Sequence, residues 1–133
     1  MTIQNEPSAP HFANSPLSWE ACAFTAELQR DFVKNHLGPK IKVDFPGIKI
    51  FAHEDQKPTL RDLSSVIMAD PEAAKYIDGF AVHWYVFADD FEALSSTHDK
   101  YPEKMILPSE ACEGYIKPCV FSISGLSVLT FLC

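Results

Sequence analysis

Phe80-Ala-Val-His-Trp-Tyr85 decides the predicted fold, because it is the clearest strand pattern in the sequence and directly follows Gly79. Three other apolar runs, at residues 1–4, 48–52 and 104–107, indicate further strands. Helical patterns separate the runs, and such alternation is typical of βαβ units with a parallel sheet. A closed eight-stranded barrel usually takes about 250 residues. The sequence therefore predicts an α/β fold, an incomplete (β/α)8 TIM barrel of about four parallel strands.

The first helix is predicted over residues 26–36. Thr25 can act as its N-cap, and Glu27 lies in the first turn, where a negative charge is favourable to the helix dipole. Gly38-Pro39 is expected to end the helix. Its core face is predicted to hold Leu28, Phe32 and Val33.

Three further helical patterns follow along the chain. One begins at Asp70 as N-cap, with Pro71 at the first helical position, and another covers residues 89–100. The remaining one begins near Thr59, and its apolar stripe is Leu60, Leu63, Val66 and Ile67.

Composition limits the classes of function. The chain has 133 residues and a formal net charge of -7, which argues against nucleic-acid binding because that function needs a clustered basic face. The four cysteines include no CxxC pair, so a zinc knuckle is not indicated. Met1 is followed directly by Thr-Ile-Gln-Asn-Glu-Pro7, without a basic and then an apolar segment. No signal peptide is predicted, and we expect the sequence to begin inside a longer protein.

The end of the chain breaks the alternation of strands and helices. Residues 119–133 are apolar and carry no charge, but they are shorter than the roughly 20 residues of a membrane-spanning helix. A strand pair or a segment lying on a membrane is also compatible with this pattern. We expect residues 1–114 to form the partial barrel domain and residues 115–133 to be a divergent apolar C-terminal tail.

Two glutamates follow strand patterns that are far apart in the sequence. Glu6 comes after the first run, in Asn5-Glu6-Pro7, and Glu110 comes after the last. The ends of parallel strands lie at one end of a barrel, so the two carboxyl groups are expected to converge. A facing pair of carboxyl groups is the minimum needed to cleave a glycosidic bond. Each glutamate taken alone can equally be a solvated turn residue.

Four other side chains are candidates for binding a substrate. Asn5 can hydrogen-bond the 2-hydroxyl of a sugar. Alternate residues of a strand point to the same side, so His83 and Tyr85 can share the pocket, and Tyr85 can donate a hydrogen bond to Glu110. Trp19 can provide an aromatic wall for a sugar or a lipid. A packed aromatic strand and a locally packed tryptophan are the simpler interpretations.

The polar run His53-Glu54-Asp55-Gln56 follows the second predicted strand. It fits metal ligands, acids that support catalytic groups, or the rim of a loop. No HExxH motif or comparable helical spacing supports a metal, and we predict no metal site.

Together these residues resemble the lysosomal acid β-glucosidases, the glucosylceramidases of glycoside hydrolase family thirty. The resemblance runs in order from residue 1 to about residue 114 and stops after Gly114. The loop at residues 10–16 and the His53-Glu54 pair depart from the family pattern. The blocks that carry it are Asn5-Glu-Pro-Ser-Ala9, Phe24-Thr25, Gln29-Arg-Asp-Phe32, Leu37-Gly-Pro39, Asp55-Gln56, Asp70-Pro-Glu-Ala-Ala-Lys-Tyr76, Ala81-Val-His-Trp-Tyr85, Thr97-His98 and Ser109-Glu-Ala-Cys112.

The resemblance implies a (β/α)8 barrel to which this chain contributes strands four to seven. It implies Glu6 as acid/base and Glu110 as nucleophile, and a glucose pocket lined by Asn5, His83 and Tyr85. The implied substrate is glucosylceramide, cleaved with retention to glucose and ceramide. The implied setting is lysosomal, at a membrane surface with a lipid-activator protein and anionic lipid, and without a cofactor. Because the other strands are missing, we expect the chain alone to be inactive or poorly folded.

Two other functions stay open at this point. Another retaining barrel β-glycosidase, acting on polysaccharide, would use the same two carboxyl groups. A non-catalytic product would instead bind a lipid or a protein partner through Trp19 or the apolar tail.

Overall fold

The computed structural model of the chain describes residues 1–12, 19, 21–85 and 91–111. The predicted domain boundary after residue 114 and the apolar tail lie outside these residues, as do Cys112, Cys119 and Cys133. Cys22 is exposed and forms no disulfide within the described part of the chain.

A parallel three-stranded sheet forms the centre of the described structure. Strand β1 is Phe51–Gln56, β2 is Gly79–His83 and β3 is Met105–Glu110, and β2 lies between the other two. Thr2 forms a parallel bridge with Phe51, so the first predicted strand is present as a single bridge beside β1. This arrangement confirms the predicted fold class, a partial α/β barrel.

Strand β1 begins and ends later than the predicted run of residues 48–52. His53, Glu54 and Asp55 were expected just after the strand, but they lie within it and are buried. The strand accommodates them through a β-bulge, because its register with β2 shifts between His53 and Asp55 and leaves Glu54 as the extra residue. His53 and Glu54 have φ values of 75° and 51°, which are left-handed conformations that cost free energy in non-glycine residues.

Strand β3 also extends beyond the predicted residues 104–107, through Pro108 to Glu110. Proline is tolerated there because, within the described residues, β3 pairs only with β2 and forms an edge. A second shift of register follows Pro108, and as a result Glu110 pairs with His83.

The helices confirm the predicted N-caps. Thr25 Oγ1 accepts a hydrogen bond from the Leu28 N–H at 3.3 Å, and Asp70 caps the helix that begins at Pro71. Within the described residues, no helix combines the length and the apolar content that crossing a bilayer requires. The helices are α1 (Ala9–Phe12), α2 (Ala26–Phe32), a π-helical turn (Val33–Leu37), α3 (Gly38–Asp44), a 3₁₀ turn (Lys57–Thr59), α4 (Leu60–Met68), α5 (Pro71–Ala74) and α6 (Glu92–Lys100).

The predicted end of the first helix at Gly38-Pro39 is wrong. Pro39 has no N–H to donate to the carbonyl four residues back, and its ring crowds that carbonyl. The chain widens instead into the π-helical turn, where the Gly38 N–H donates to Val33 O, five residues back. A Cβ atom at position 38 would overlap the ring of Tyr76. The helix continues as α3 because the wider turn accommodates the proline and the glycine leaves room for the tyrosine.

The apolar core lies between the sheet and the helices. Its stripe on α4 was predicted correctly, with Val66 half-buried and the other three side chains buried. The prediction for Leu28 is wrong, because it is 49% exposed while its neighbour Gln29 is fully buried. Gln29 Oε1 accepts the His53 N–H of the bulge at 3.3 Å, which requires this amide to face the sheet. The buried members of the core are Val33, Ile50, Ala52, Leu60, Leu63, Ile67, Ile77, Phe80 and Val82.

Replacing the fully buried Leu60 by alanine is expected to lower the free energy of unfolding by about 2–5 kcal/mol, because the change leaves a cavity. The matched change Leu28→Ala removes the same atoms from a half-exposed side chain and should cost less than about 1 kcal/mol. Urea denaturation followed by tryptophan fluorescence measures both. Equal losses would mean that α2 does present its predicted face to the core.

Candidate active site

His83, the last residue of β2, has a fully buried imidazole, and both of its nitrogens face carboxylates. Nδ1 lies 3.1 Å from Glu6 Oε1. Nε2 lies 2.8 Å from Glu54 Oε1 and 3.3 Å from Glu110 Oε2. Two glutamates that are far apart in the sequence therefore contact one imidazole ring.

The carboxyl ends of the parallel strands bring these side chains together. Gln56 at the end of β1 and Glu110 at the end of β3 both pair in register with His83. Glu6 lies in the turn that follows the Thr2 bridge, beside β1. The site is thus assembled at the edge of the sheet where the three strands end.

Hydrogen bonds to β1 hold the turn that carries Glu6. The Glu6 N–H donates to Glu54 O at 2.9 Å, and the Ser8 N–H donates to Asp55 Oδ2 at 2.8 Å. Gln56 Nε2 donates to Glu6 Oε1 at 3.0 Å. Glu6 itself has a φ of 41°, a strained backbone conformation for a residue with a side chain. The surrounding bonds therefore fix both the backbone and the carboxylate of Glu6.

Hydroxyl groups complete the network on the side of β3. Tyr85 Oη donates to Glu110 Oε1 at 3.1 Å, as predicted. The predicted strand was too long, however, because β2 ends at His83 and Tyr85 lies beyond it. The rings of His83 and Tyr85 lie 6.1 Å apart, edge to face. Ser109 Oγ donates to Glu54 Oε1 at 2.8 Å. Each acid on this side of the ring thus accepts a hydrogen bond from a hydroxyl group.

The neighbouring carboxylates change the pKa of His83. Burial by itself lowers the pKa of His83, but hydrogen bonds to Glu54 and Glu6 and the charge of Glu110 outweigh it and raise the pKa above its ordinary value. Burial would raise the pKa of Glu54, but hydrogen bonds from His83 and Ser109 bring it below its ordinary value. Both directions favour a charged imidazolium paired with a charged Glu54 carboxylate.

Glu54, His83 and Glu110 offer one possible metal-ligand atom each, and these three atoms lie within 4.8 Å of one another. Their mutual contacts already account for this closeness, because an imidazolium donates from both ring nitrogens and carboxylates accept. We therefore assign the three side chains to a hydrogen-bond network.

The other two predicted site residues, Asn5 and Trp19, differ in their position and exposure. Asn5 is half-buried and directly precedes Glu6, and its backbone carbonyl accepts a hydrogen bond from Gln4 Nε2 at 3.2 Å. Trp19 is at the surface with 40% of its area exposed. Trp84, which lies between His83 and Tyr85 in the sequence, is 38% exposed.

Sequence reasoning did not select Glu54, Gln56 or Ser109 as members of the site. The available signal was the position of the His53–Gln56 run directly after an apolar strand, which left a supporting acid as one of three interpretations. What the sequence did not indicate was that the strand continues through this run and buries it. Without that extension, Glu54 would stand outside the sheet.

Comparison with known protein families and solved structures shows what this chain is similar to. Residues 1–120 match the glycosyl hydrolase family 30 TIM-barrel domain. The lysosomal acid glucosylceramidase of Mus musculus is 40% identical over 116 residues, which are 86% of this chain and 22% of that protein. SrfJ from Salmonella typhimurium superposes with a TM-score of 0.72 at 27% identity, over 84% of this chain and 24% of that chain. An endo-beta1,6-glucanase does so with a TM-score of 0.72 at 33% identity, over 86% of this chain and 24% of that chain.

This chain spans about a fifth of the length of the mouse relative that it matches, 22%. The matched region nevertheless contains the whole described sheet and each residue named above around His83. On the family match and the identity to the mouse protein together, the chain belongs to glycosyl hydrolase family 30.

Proposed function

We propose that this chain carries the two catalytic carboxyl groups of a retaining β-glucosidase that cleaves glucosylceramide to glucose and ceramide. The observation that supports this most directly is the contact of Glu6 and Glu110 with the same imidazole. A retaining mechanism requires the two carboxyl groups to lie about 5–5.5 Å apart. The contacts of Glu6 and Glu110 with the two nitrogens of His83 bring both acids into one site.

In the proposed reaction Glu110 attacks the anomeric carbon of glucose while Glu6 donates its proton to the glycosidic oxygen, and ceramide leaves as the alcohol. A covalent glucosyl ester on Glu110 results. In the second step Glu6, now a carboxylate, removes a proton from water, and the water oxygen displaces Glu110 from the anomeric carbon. Two inversions give net retention. The reaction uses no cofactor.

Neighbouring side chains have proposed roles in positioning and binding. Tyr85 orients Glu110 through its hydrogen bond, and His83 fixes the positions of the two catalytic acids relative to each other. Asn5 contacts the sugar 2-hydroxyl, a bond that strengthens in the transition state. Trp19 provides an aromatic surface for the sugar or the lipid chain of the substrate.

The proposal extends to the protein that contains this segment. Residues 1–114 supply part of a barrel, and residues 115–133 form a divergent tail. The mouse relative is named as a lysosomal acid protein, and we place this chain in the same compartment. Ceramide is a lipid, so the complete enzyme works at a membrane surface, with a lipid-activator protein that presents the substrate.

A second candidate is a retaining β-glycosidase that acts on polysaccharide. The similarity to an endo-beta1,6-glucanase at 33% identity favours this alternative. Both candidates use the same pair of acids and differ in what occupies the leaving-group side of the site.

Transplanting residues 1–111 into the mouse enzyme, in place of its aligned segment, is expected to give a chimera that hydrolyses glucosylceramide. Glu110→Gln should abolish turnover, because no nucleophile remains. Glu6→Gln should slow it by about 10²–10⁴-fold, the usual contribution of a general acid. With a dinitrophenyl β-glucoside, whose leaving group needs no proton, the Glu6→Gln chimera should still form the glucosyl ester, detected by mass spectrometry.

The matched control is Glu103→Gln, which changes an exposed glutamate beside Lys104 and should leave the rate unchanged. Turnover that survives Glu110→Gln would refute the assigned nucleophile. A chimera that prefers β-1,6-glucan to glucosylceramide would favour the polysaccharide candidate.

The isolated chain is expected to show no turnover of a fluorogenic β-glucoside at pH 5. Within the described residues β3 is an unpaired edge with Met105 and Leu107 about 40% exposed, so neither the sheet nor the pocket is closed. Purified chain with activity that Glu110→Gln removes would contradict this expectation.

His83→Gln is expected to lower the free energy of unfolding more at pH 5.5 than at pH 9. A raised folded-state pKa means that the contribution of His83 is complete below the ordinary value of 6.5 and is lost as the pH rises through the raised value. Urea denaturation of both proteins across this range measures the difference, and exposed His98→Gln is the control. A gap that widens with pH would show that His83 is not stabilised as a cation.

A further inference from the structure

Glu54 is the extra residue of the bulge in β1, and its side chain points into the network although it has no part in the proposed bond cleavage. It is 7% exposed and has a φ of 51°. A bulge re-aims a side chain relative to the regular pleat, and such features are common beside active sites. The free-energy cost of the left-handed backbone must be offset by the contacts that the bulge permits.

Those contacts reach three parts of the site at once. Glu54 Oε1 accepts hydrogen bonds from His83 Nε2 and from Ser109 Oγ, both at 2.8 Å. Its backbone carbonyl accepts the N–H of Glu6 at 2.9 Å. Ser109 directly precedes Glu110. One residue is therefore bonded to the backbone of the proposed acid, to the histidine between the acids, and to the neighbour of the proposed nucleophile.

The distances from His83 Nε2 show which carboxylate accepts the hydrogen bond from this nitrogen. Glu54 Oε1 is 2.8 Å away and accepts the hydrogen bond, whereas Glu110 Oε2, at 3.3 Å, makes an ion-pair contact only. Glu110 then keeps its bond from Tyr85 and is less engaged by the imidazolium. A carboxylate that is strongly paired with a cation is a poorer nucleophile, so a competing acid beside it serves the reaction.

We propose that Glu54 is the positioning residue of this site, which holds His83 by its carboxylate and Glu6 by its carbonyl, and thereby leaves Glu110 available for attack. The part about Glu110 rests on the proposed function. The placement of His83 does not, because it follows from contacts within the chain.

The first experiment follows the ring nitrogens of His83 in the full 133-residue chain by ¹⁵N NMR as the pH is varied, with His83→Gln identifying the resonances. Groups that face the ring are Glu6, Glu54, Glu110 and Tyr85, and His53 lies close enough to interact electrostatically. Glu54→Gln keeps the shape and removes the charge, so the titration of His83 should move to lower pH. Glu54→Asp should give a smaller shift in the same direction, and Glu103→Gln should give none.

An unchanged titration in Glu54→Gln would overturn the placement of His83. If Glu54→Gln does not fold, the shift of Glu54→Asp decides the matter, because this variant keeps the charge but withdraws it by one methylene.

The second experiment measures kcat and KM in the chimera. Glu54→Gln should lower kcat by about 10²-fold with little change in KM, the size of effect that misplacement of catalytic groups produces. Glu54→Asp should recover most of the loss, and Glu103→Gln should retain full activity. An unaltered kcat in Glu54→Gln would overturn the link to Glu110. An inactive wild-type chimera would count against the proposed function, while the NMR result would still decide how His83 is held.

Discussion

The imidazole of His83 is the common partner of three carboxylates that come from separate parts of the chain. It lies at the end of the central strand, and the strands on either side end in Gln56 and Glu110. Parallel pairing in register makes this meeting possible, because only then do the three strand ends lie at one edge of the sheet. The cost of burying the side chains of His83, Glu6 and Glu54 is offset by the hydrogen bonds from the ring to the two acids.

Both irregularities of the sheet fall where the site is built. The register shifts between His53 and Asp55 in β1, and again before Glu110 in β3. Without these shifts, side chains would alternate strictly between the two faces of the sheet, and Glu54 would follow that pattern. Because of its bulge, β1 can contribute to both the core and the network. Ala52 packs against apolar neighbours, while Glu54 in the same strand contacts His83.

The strand–helix alternation, the N-caps and the stripe on α4 were predictable because each depends on residues close together in the sequence. The convergence of Glu6 and Glu110 could be expected from the topology alone. Three features could not. The need for glycine at position 38 depends on Tyr76, the burial of Gln29 depends on the bulge at His53, and the placement of Glu54 depends on the register of β1 against β2. Each is a long-range contact that overrides a local preference.

The space around Gly38 is limited by the ring of Tyr76 and by the backbone of the π-helical turn. Any side chain at position 38 would meet both the tyrosine ring and the Val33 carbonyl, so a smaller residue at position 76 would remove only one of the two clashes. A larger residue at position 38 would thus overpack the π-helical turn even beside a small residue 76. Position 38 is therefore expected to stay glycine during evolution, whichever residue occupies position 76.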